Sequence, residues 1–170
     1  AVAAFTVVPR HVLGGPGRQA PSEKLNLAAI GSGGMGAANI NACSTENFVA
    51  LCDVDDRHAA GTFNKFPDAK KYKDFRVMLD KEDKNIDGVI VATPDHTHAV
   101  AAMACLKRGK HLYCQKPLAH SIYEVRKLTE AAREAGVQTQ MGNQGHSSDE
   151  IRLLCEWIED GAIGPVREVY

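Results

Sequence analysis

Leu25-Asn26-Leu27-Ala28-Ala29-Ile30-Gly31-Ser32-Gly33-Gly34-Met35-Gly36 decides the fold. A short apolar run leads into G-x-G-x-x-G, and a helical pattern follows over residues 34–43. The first glycine, Gly31, permits a tight turn. The second, Gly33, lets the backbone approach a pyrophosphate, and the third, Gly36, lets helix and strand pack closely. Gly34 and Met35 complete a loop whose free N–H groups, with the helix dipole, favour a negatively charged ligand.

A glycine-rich turn alone is a weak signal, but the surrounding pattern strengthens it. Further apolar runs at 48–52, 88–92, 112–114 and 137–141 read as buried strands, with a weaker candidate at 70–72. Helical periodicities lie between them at 56–65, 74–80, 97–108, 121–135 and 148–160. Ser121 with Glu124 forms a capping-box pattern and Gly136 ends that helix; Ser147 with Glu150 repeats the box. This alternation predicts an α/β fold, a Rossmann-type doubly wound parallel sheet with ligands at the strand C-termini.

Asp53 ends the second strand, 22 residues after Gly31, where the acid that binds a ribose is expected. A carboxylate there accepts from ribose hydroxyls and repels a 2′-phosphate, so NAD is favoured over NADP. Arg57, a turn into the next helix, reads as a solvated side chain. Asp55 competes for the ribose role, but suits the N-cap of the helix beginning near Asp56 better.

Two more segments leave strands at the same edge. Thr93-Pro94-Asp95-His96-Thr97-His98 follows the 88–92 run. Its H-x-H spacing offers two metal ligands without a third, so no metal is assigned. Thr93, Pro94 and His98 are instead candidates for cofactor contact, with His98 near the nicotinamide and His96 on the cleft wall.

Cys114-Gln115-Lys116-Pro117 follows the 112–114 run. Proline keeps the preceding residue out of the helical region, so the loop aims Lys116. Hydride removal from an alcohol requires the hydroxyl proton to leave, and Lys116 is the candidate to polarise or relay it. A structural or phosphate-positioning lysine is the alternative reading. Gln144 and His146, past the next strand, are candidate substrate contacts or members of a helix-capping loop.

The order of these motifs resembles the Gfo/Idh/MocA oxidoreductases, relatives of glucose–fructose oxidoreductase and inositol dehydrogenase. The resemblance covers residues 25–170 and includes Met141-Gly142-Asn143-Gln144-Gly145-His146 and Gly161-Ala162-Ile163-Gly164-Pro165-Val166. It implies an N-terminal Rossmann domain and a C-terminal α/β domain that covers the substrate and mediates homo-oligomers. The family's E-K-P motif falls on Gln115-Lys116-Pro117, commonly with a cis Lys–Pro bond. Its lysine maps to Lys116, while Gln115, placed beside the cofactor, stands where the family has glutamate. The resemblance further implies a dehydrogenase acting on a sugar or polyol hydroxyl. Two alternatives carry the same motifs: an NAD-dependent glycosidase working by transient oxidation and elimination, and a non-catalytic sugar or dinucleotide sensor.

Residues 1–23 read as an export-signal remnant or extended arm, residues 24–146 as the NAD-binding domain, and residues 147–170 as a linking helix and the start of a truncated second domain. The apolar opening Ala1-Val2-Ala3-Ala4-Phe5-Thr6-Val7-Val8, and an arm like that after twin-arginine signals in exported bacterial members, lead us to expect a periplasmic location, with the cytoplasm as the alternative. The net charge of −1 gives no footprint for nucleic acid. No apolar run approaches the roughly 20 residues that span a bilayer. The five cysteines lack metal-type spacing and read as structural thiols.

Overall fold

A computed structural model describes residues 20–169 of the chain. The six strands are β1 (Asn26–Ile30), β2 (Asn47–Cys52), β3 (Lys70–Tyr72), β4 (Gly88–Val91), β5 (His111–Gln115) and β6 (Thr139–Gly142). They form one parallel sheet in the order β3-β2-β1-β4-β5-β6. The chain winds outward from β1 in both directions, so the strand order reverses between β1 and β4. This is the Rossmann arrangement, and the crevice beyond that switch point is where such sheets bind ligands.

The helices are α1 (Gly34–Ala42), α2 (Asp56–Lys65), α3 (Phe75–Glu82), α4 (His98–Leu106), α5 (Ile122–Ala135) and α6 (Asp149–Glu159). Helices α1 to α5 cover both faces of the sheet, which explains why its central strands read as continuous apolar runs. Ala28, Ile30, Val89 and Val91 face α3, α4 and α5, packing with Met78, Leu79, Ala102 and Leu128. Their neighbours Ala29, Leu51 and Ile90 face the other way, toward Ile40 of α1 and Phe63 of α2. The weak 70–72 candidate is the edge strand β3, where exposed Lys70 and Lys71 mask the strand pattern.

Ser121 caps α5 as expected. Its hydroxyl accepts from Glu124 N at 3.3 Å, and the Glu124 carboxylate accepts from Ser121 N at 3.0 Å. Gly136 ends the helix in the left-handed region at φ 65°. Two expectations are corrected. The cap of α6 is Ser148, because Ser147 closes a preceding 3₁₀ turn, Gln144–Ser147, and no side-chain capping bond forms. The last strand starts at Thr139 rather than 137, since pairing with β5 begins at Leu112–Thr139. Residues 164–169 form no strand. The expected arm lies outside the described residues up to position 19; Pro21–Glu23 form a 3₁₀ turn.

Helix α6 buries none of its residues, leaving Ile151, Leu154, Trp157 and Ile158 substantially exposed. No helix among the described residues is long and apolar enough to cross a membrane.

Candidate cofactor and active site

The glycine loop connects β1 to α1 under tight steric constraint. Gly31 has φ 87°, and a Cβ on it would lie 2.5 Å from the Ala92 carbonyl oxygen at the end of β4. A Cβ on Gly36 would lie 2.1 Å from the Gly31 carbonyl oxygen. These two glycines let loop, helix and sheet close on one another. Gly33 is the N-cap of α1 and has no side chain to bond the helix's first N–H groups, while Gly34 turns at φ 49°. Those donors are left for a ligand.

Asp53, at the end of β2, is fastened to this loop. Its Oδ2 accepts from Ser32 N at 2.8 Å and its Oδ1 from Asp55 N at 3.0 Å. Each carboxylate oxygen keeps acceptor capacity beyond that bond. Ser32 is fully buried; its hydroxyl donates to the Cys52 carbonyl at 3.3 Å, and its own carbonyl accepts from the Thr62 hydroxyl at 2.6 Å. Asp55 caps α2, accepting from Arg57 N at 2.9 Å and His58 N at 3.3 Å. Asp55 is thus the helix cap its position suggested, and Asp53 is the acid that lies against the glycine loop.

A cleft of about 680 Å³ opens over the loop. Of the predicted cofactor residues, it brings together Gly31, Gly33, Gly34, Met35, Asp53, Thr93 and Pro94, while Gly36 packs behind the loop. The Thr93 hydroxyl oxygen is buried without a hydrogen-bond partner among the described residues. A glycine cradle, uncapped helix N–H groups, a fixed acid and an unsatisfied hydroxyl suit a dinucleotide.

Lys116 leaves the sheet beside this cleft. The pairing of Val91 with Cys114 sends Ala92-Thr93 and Gln115-Lys116 out side by side, and the pairing of Gln115 with Gly142 brings Asn143-Gln144 next to them. The Lys116–Pro117 bond is cis. Lys116 is exposed and has no hydrogen bond or ion pair among the described residues, so its ammonium is available to a ligand.

Residues 25–143 match the profile of the GFO_IDH_MocA oxidoreductases, described as an oxidoreductase family with an NAD-binding Rossmann fold. The chain belongs to this family. An inositol 2-dehydrogenase of Rubrobacter xylanophilus is 32% identical over 148 residues, covering 84% of this chain and 42% of the relative. A levoglucosan dehydrogenase of Pseudarthrobacter phenanthrenivorans is 28% identical over 155 residues, covering 85% of this chain and 39% of the relative. The crystal structure of an NAD binding oxidoreductase from Klebsiella pneumoniae superposes with a TM-score of 0.67 at 33% identity, over 83% of this chain and 40% of that one. The chain thus spans about two fifths of the length of the curated relatives it matches.

Within the Gfo/Idh/MocA Rossmann unit, two candidate residues have other roles than those expected. His98 has no exposed surface. Its Nδ1 lies 2.6 Å from the Pro117 carbonyl oxygen and its Nε2 2.7 Å from that of Thr93. The ring ties the β4–α4 loop to the lysine loop and does not line the cleft in which the expected contact would be made. Gln115 is buried as well, its amide engaged by Asn39, Gln144 and Gly142. Gln144 also donates to the Tyr113 hydroxyl at 2.9 Å, and His146 stands exposed on the following turn. Neither lines the cleft over the loop.

Sequence reading missed Asn39 and His58. Asn39 sits on α1, 76 residues before Gln115, with no local signal to join them. His58 lines the cleft from the first turn of α2. Its proximity to Asp53 in the sequence was the available clue.

Proposed function

We propose that the protein is an NAD-dependent dehydrogenase that takes hydride from a sugar or polyol hydroxyl carbon, with Lys116 handling the hydroxyl proton. The observation that carries this reading is Lys116 itself: an unpartnered ammonium on a loop that leaves the sheet beside the end of β4. The names of the inositol and levoglucosan dehydrogenases support the substrate class.

The glycine loop binds the pyrophosphate through backbone N–H groups, Asp53 accepts from the ribose, and the Thr93 hydroxyl gains a partner. Bound NAD supplies the hydride acceptor. Lys116 Nζ holds the substrate hydroxyl and relays its proton, passing one of its own to solvent water as it receives the substrate's. His98 keeps the lysine loop against the loop bearing Thr93, fixing the direction of approach.

NADH formation by the intact protein, measured with myo-inositol and levoglucosan as first substrates, tests the reading. Stoichiometric NADH is expected, with a loss of at least about 100-fold in kcat for Lys116→Met and little change in NAD affinity. Normal turnover by that variant refutes the role of Lys116. Export of the protein and self-association are further parts of this proposal. The apolar stretch at residues 1–8 supports the first, the exposed apolar face of α6 the second. Cell fractionation and sedimentation of the purified protein check them.

A further inference from the structure

The second glycine of the fingerprint leaves its α-carbon bare, and the group lying over it here is the imidazole of His58. A Cβ on Gly33 would stand 2.1 Å from His58 Cδ2 and 2.5 Å from Nε2; one on Gly34 would stand 3.5 Å from Nε2. The backbone of His58 is fixed, because its N–H donates to the Asp55 cap at 3.3 Å. The ring is different. It is exposed, and neither nitrogen has a hydrogen-bond partner among the described residues. His98, with both nitrogens at carbonyl oxygens, shows how a histidine looks when it only holds structure.

The other charged groups near this face do not meet the same need. Asp53 and Asp55 are acceptors, held by backbone N–H groups. Lys73, across the cleft, is paired with Asp56 at 2.6 Å. His58 is therefore a side-chain donor without a partner, resting on the surface that the bare glycine opens to phosphate.

We propose that His58 is a phosphate-binding residue of the cofactor site. Its ring covers Gly33 until the dinucleotide pyrophosphate moves it aside, and its ring N–H then donates to a phosphate oxygen. No hydrogen bond holds the ring in place among the described residues, so the change is a side-chain rotation on a fixed backbone. The inference rests on NAD occupying the glycine loop.

Calorimetric titration of the intact protein, His58→Ala and His58→Gln with NAD, ADP-ribose and NADP tests it. His58→Ala is expected to weaken NAD and ADP-ribose equally, by about tenfold, since both carry the pyrophosphate and only one carries nicotinamide. His58→Gln, which keeps a donor, should stay within about threefold of the parent protein. An unchanged unfolding midpoint for His58→Ala is expected from so exposed a ring. Unchanged or tighter NAD binding by His58→Ala, or a loss confined to NADP, overturns the assignment. Failure of the parent protein to bind ADP-ribose sinks the cofactor reading itself, a distinguishable outcome.

Discussion

Gln115 donates through Nε2 to the carbonyl oxygen of Gly142 at 3.3 Å, from a side chain that is almost fully buried. A carbonyl only accepts, so position 115 needs a donor. The Gln115 Oε1 in turn accepts from Asn39 Nδ2 at 3.2 Å and Gln144 Nε2 at 2.9 Å. Gly142 belongs to the same arrangement, because a Cβ there would stand 2.4 Å from Gln115 Oε1. The glutamine in the family's E-K-P position is thus built into its surroundings, linking the cofactor helix α1 to the strand that carries Lys116.

Gln115→Glu should therefore destabilise the protein. A carboxylate would face the Gly142 carbonyl without a proton to give, at a cost of about 1–3 kcal/mol or somewhat more for the charge. Protonation restores the donor, so the folded-state pKa of the new acid is raised. The penalty should shrink as pH falls toward that of the free carboxyl group and be fullest near neutrality. Urea unfolding followed by circular dichroism at several pH values measures it; equal stability at neutral pH contradicts the argument.

Two of the fingerprint glycines, Gly36 and Gly33, should respond differently to substitution. Gly36→Ala forces a Cβ onto the Gly31 carbonyl and is expected to cost about 1–3 kcal/mol, seen in the unfolding midpoint. At Gly33 the three atoms nearest the new methyl all belong to the movable ring of His58. Gly33→Ala should leave stability within about 1 kcal/mol of the parent and still impair NAD binding, because the methyl occupies the phosphate face.

His98→Ala removes a buried ring and both of its ties, to Thr93 and Pro117. A loss of about 2–4 kcal/mol is expected. Hydrogen exchange adds a sharper readout. Amides around Lys116 and Leu118 should exchange faster than those of β1, because the lysine loop loses its tether while the central sheet does not.

The sheet and its helices were readable because the chemistry is local. Apolar runs with both faces covered, one capping box and one glycine fingerprint each reveal themselves within a few residues. Asp53 was readable for the same reason, at a fixed distance from Gly31. The cap of α6 was not, since adjacent serines differ only in which one takes extended backbone angles. For His98 the loop was readable and the role was not, because whether a histidine meets ligand or carbonyl depends on Pro117, a residue from another strand's end. The Asn39–Gln115–Gln144 network depends on three separate elements meeting, which no periodicity reports.

Acid should loosen the edge of the sheet. Lys70, at 2.8 Å, and the Tyr72 hydroxyl, at 2.6 Å, donate to Glu82, tying β3 to α3 and holding its carboxyl down at about 2. A depressed folded-state value means stability that is present above the ordinary carboxyl value of 4.5 and lost as pH falls toward 2. Glu82→Gln should flatten the stability profile across that window. A profile identical to the parent's rules out the contribution.

Thiol chemistry should count one cysteine apart from the rest. Cys155 is exposed on α6, whereas burial pushes the thiols of Cys52, Cys105 and Cys114 up to about 12 and raises that of Cys43 less far. A disulfide reagent at neutral pH should modify one of the five rapidly, and the buried three only after unfolding. Cys155→Ser should abolish the fast phase.

The exposed face of α6 has a consequence for spectroscopy. Trp157, the single tryptophan of the sequence, sits there half in solvent, away from both halves of the core. Its emission is a reporter on whatever lies against that helix, shifting to the blue when the face is covered, and it is nearly blind to melting of the sheet. Intrinsic fluorescence and circular dichroism should then give different transitions for the same sample, with the optical probe following association and the ellipticity following the fold.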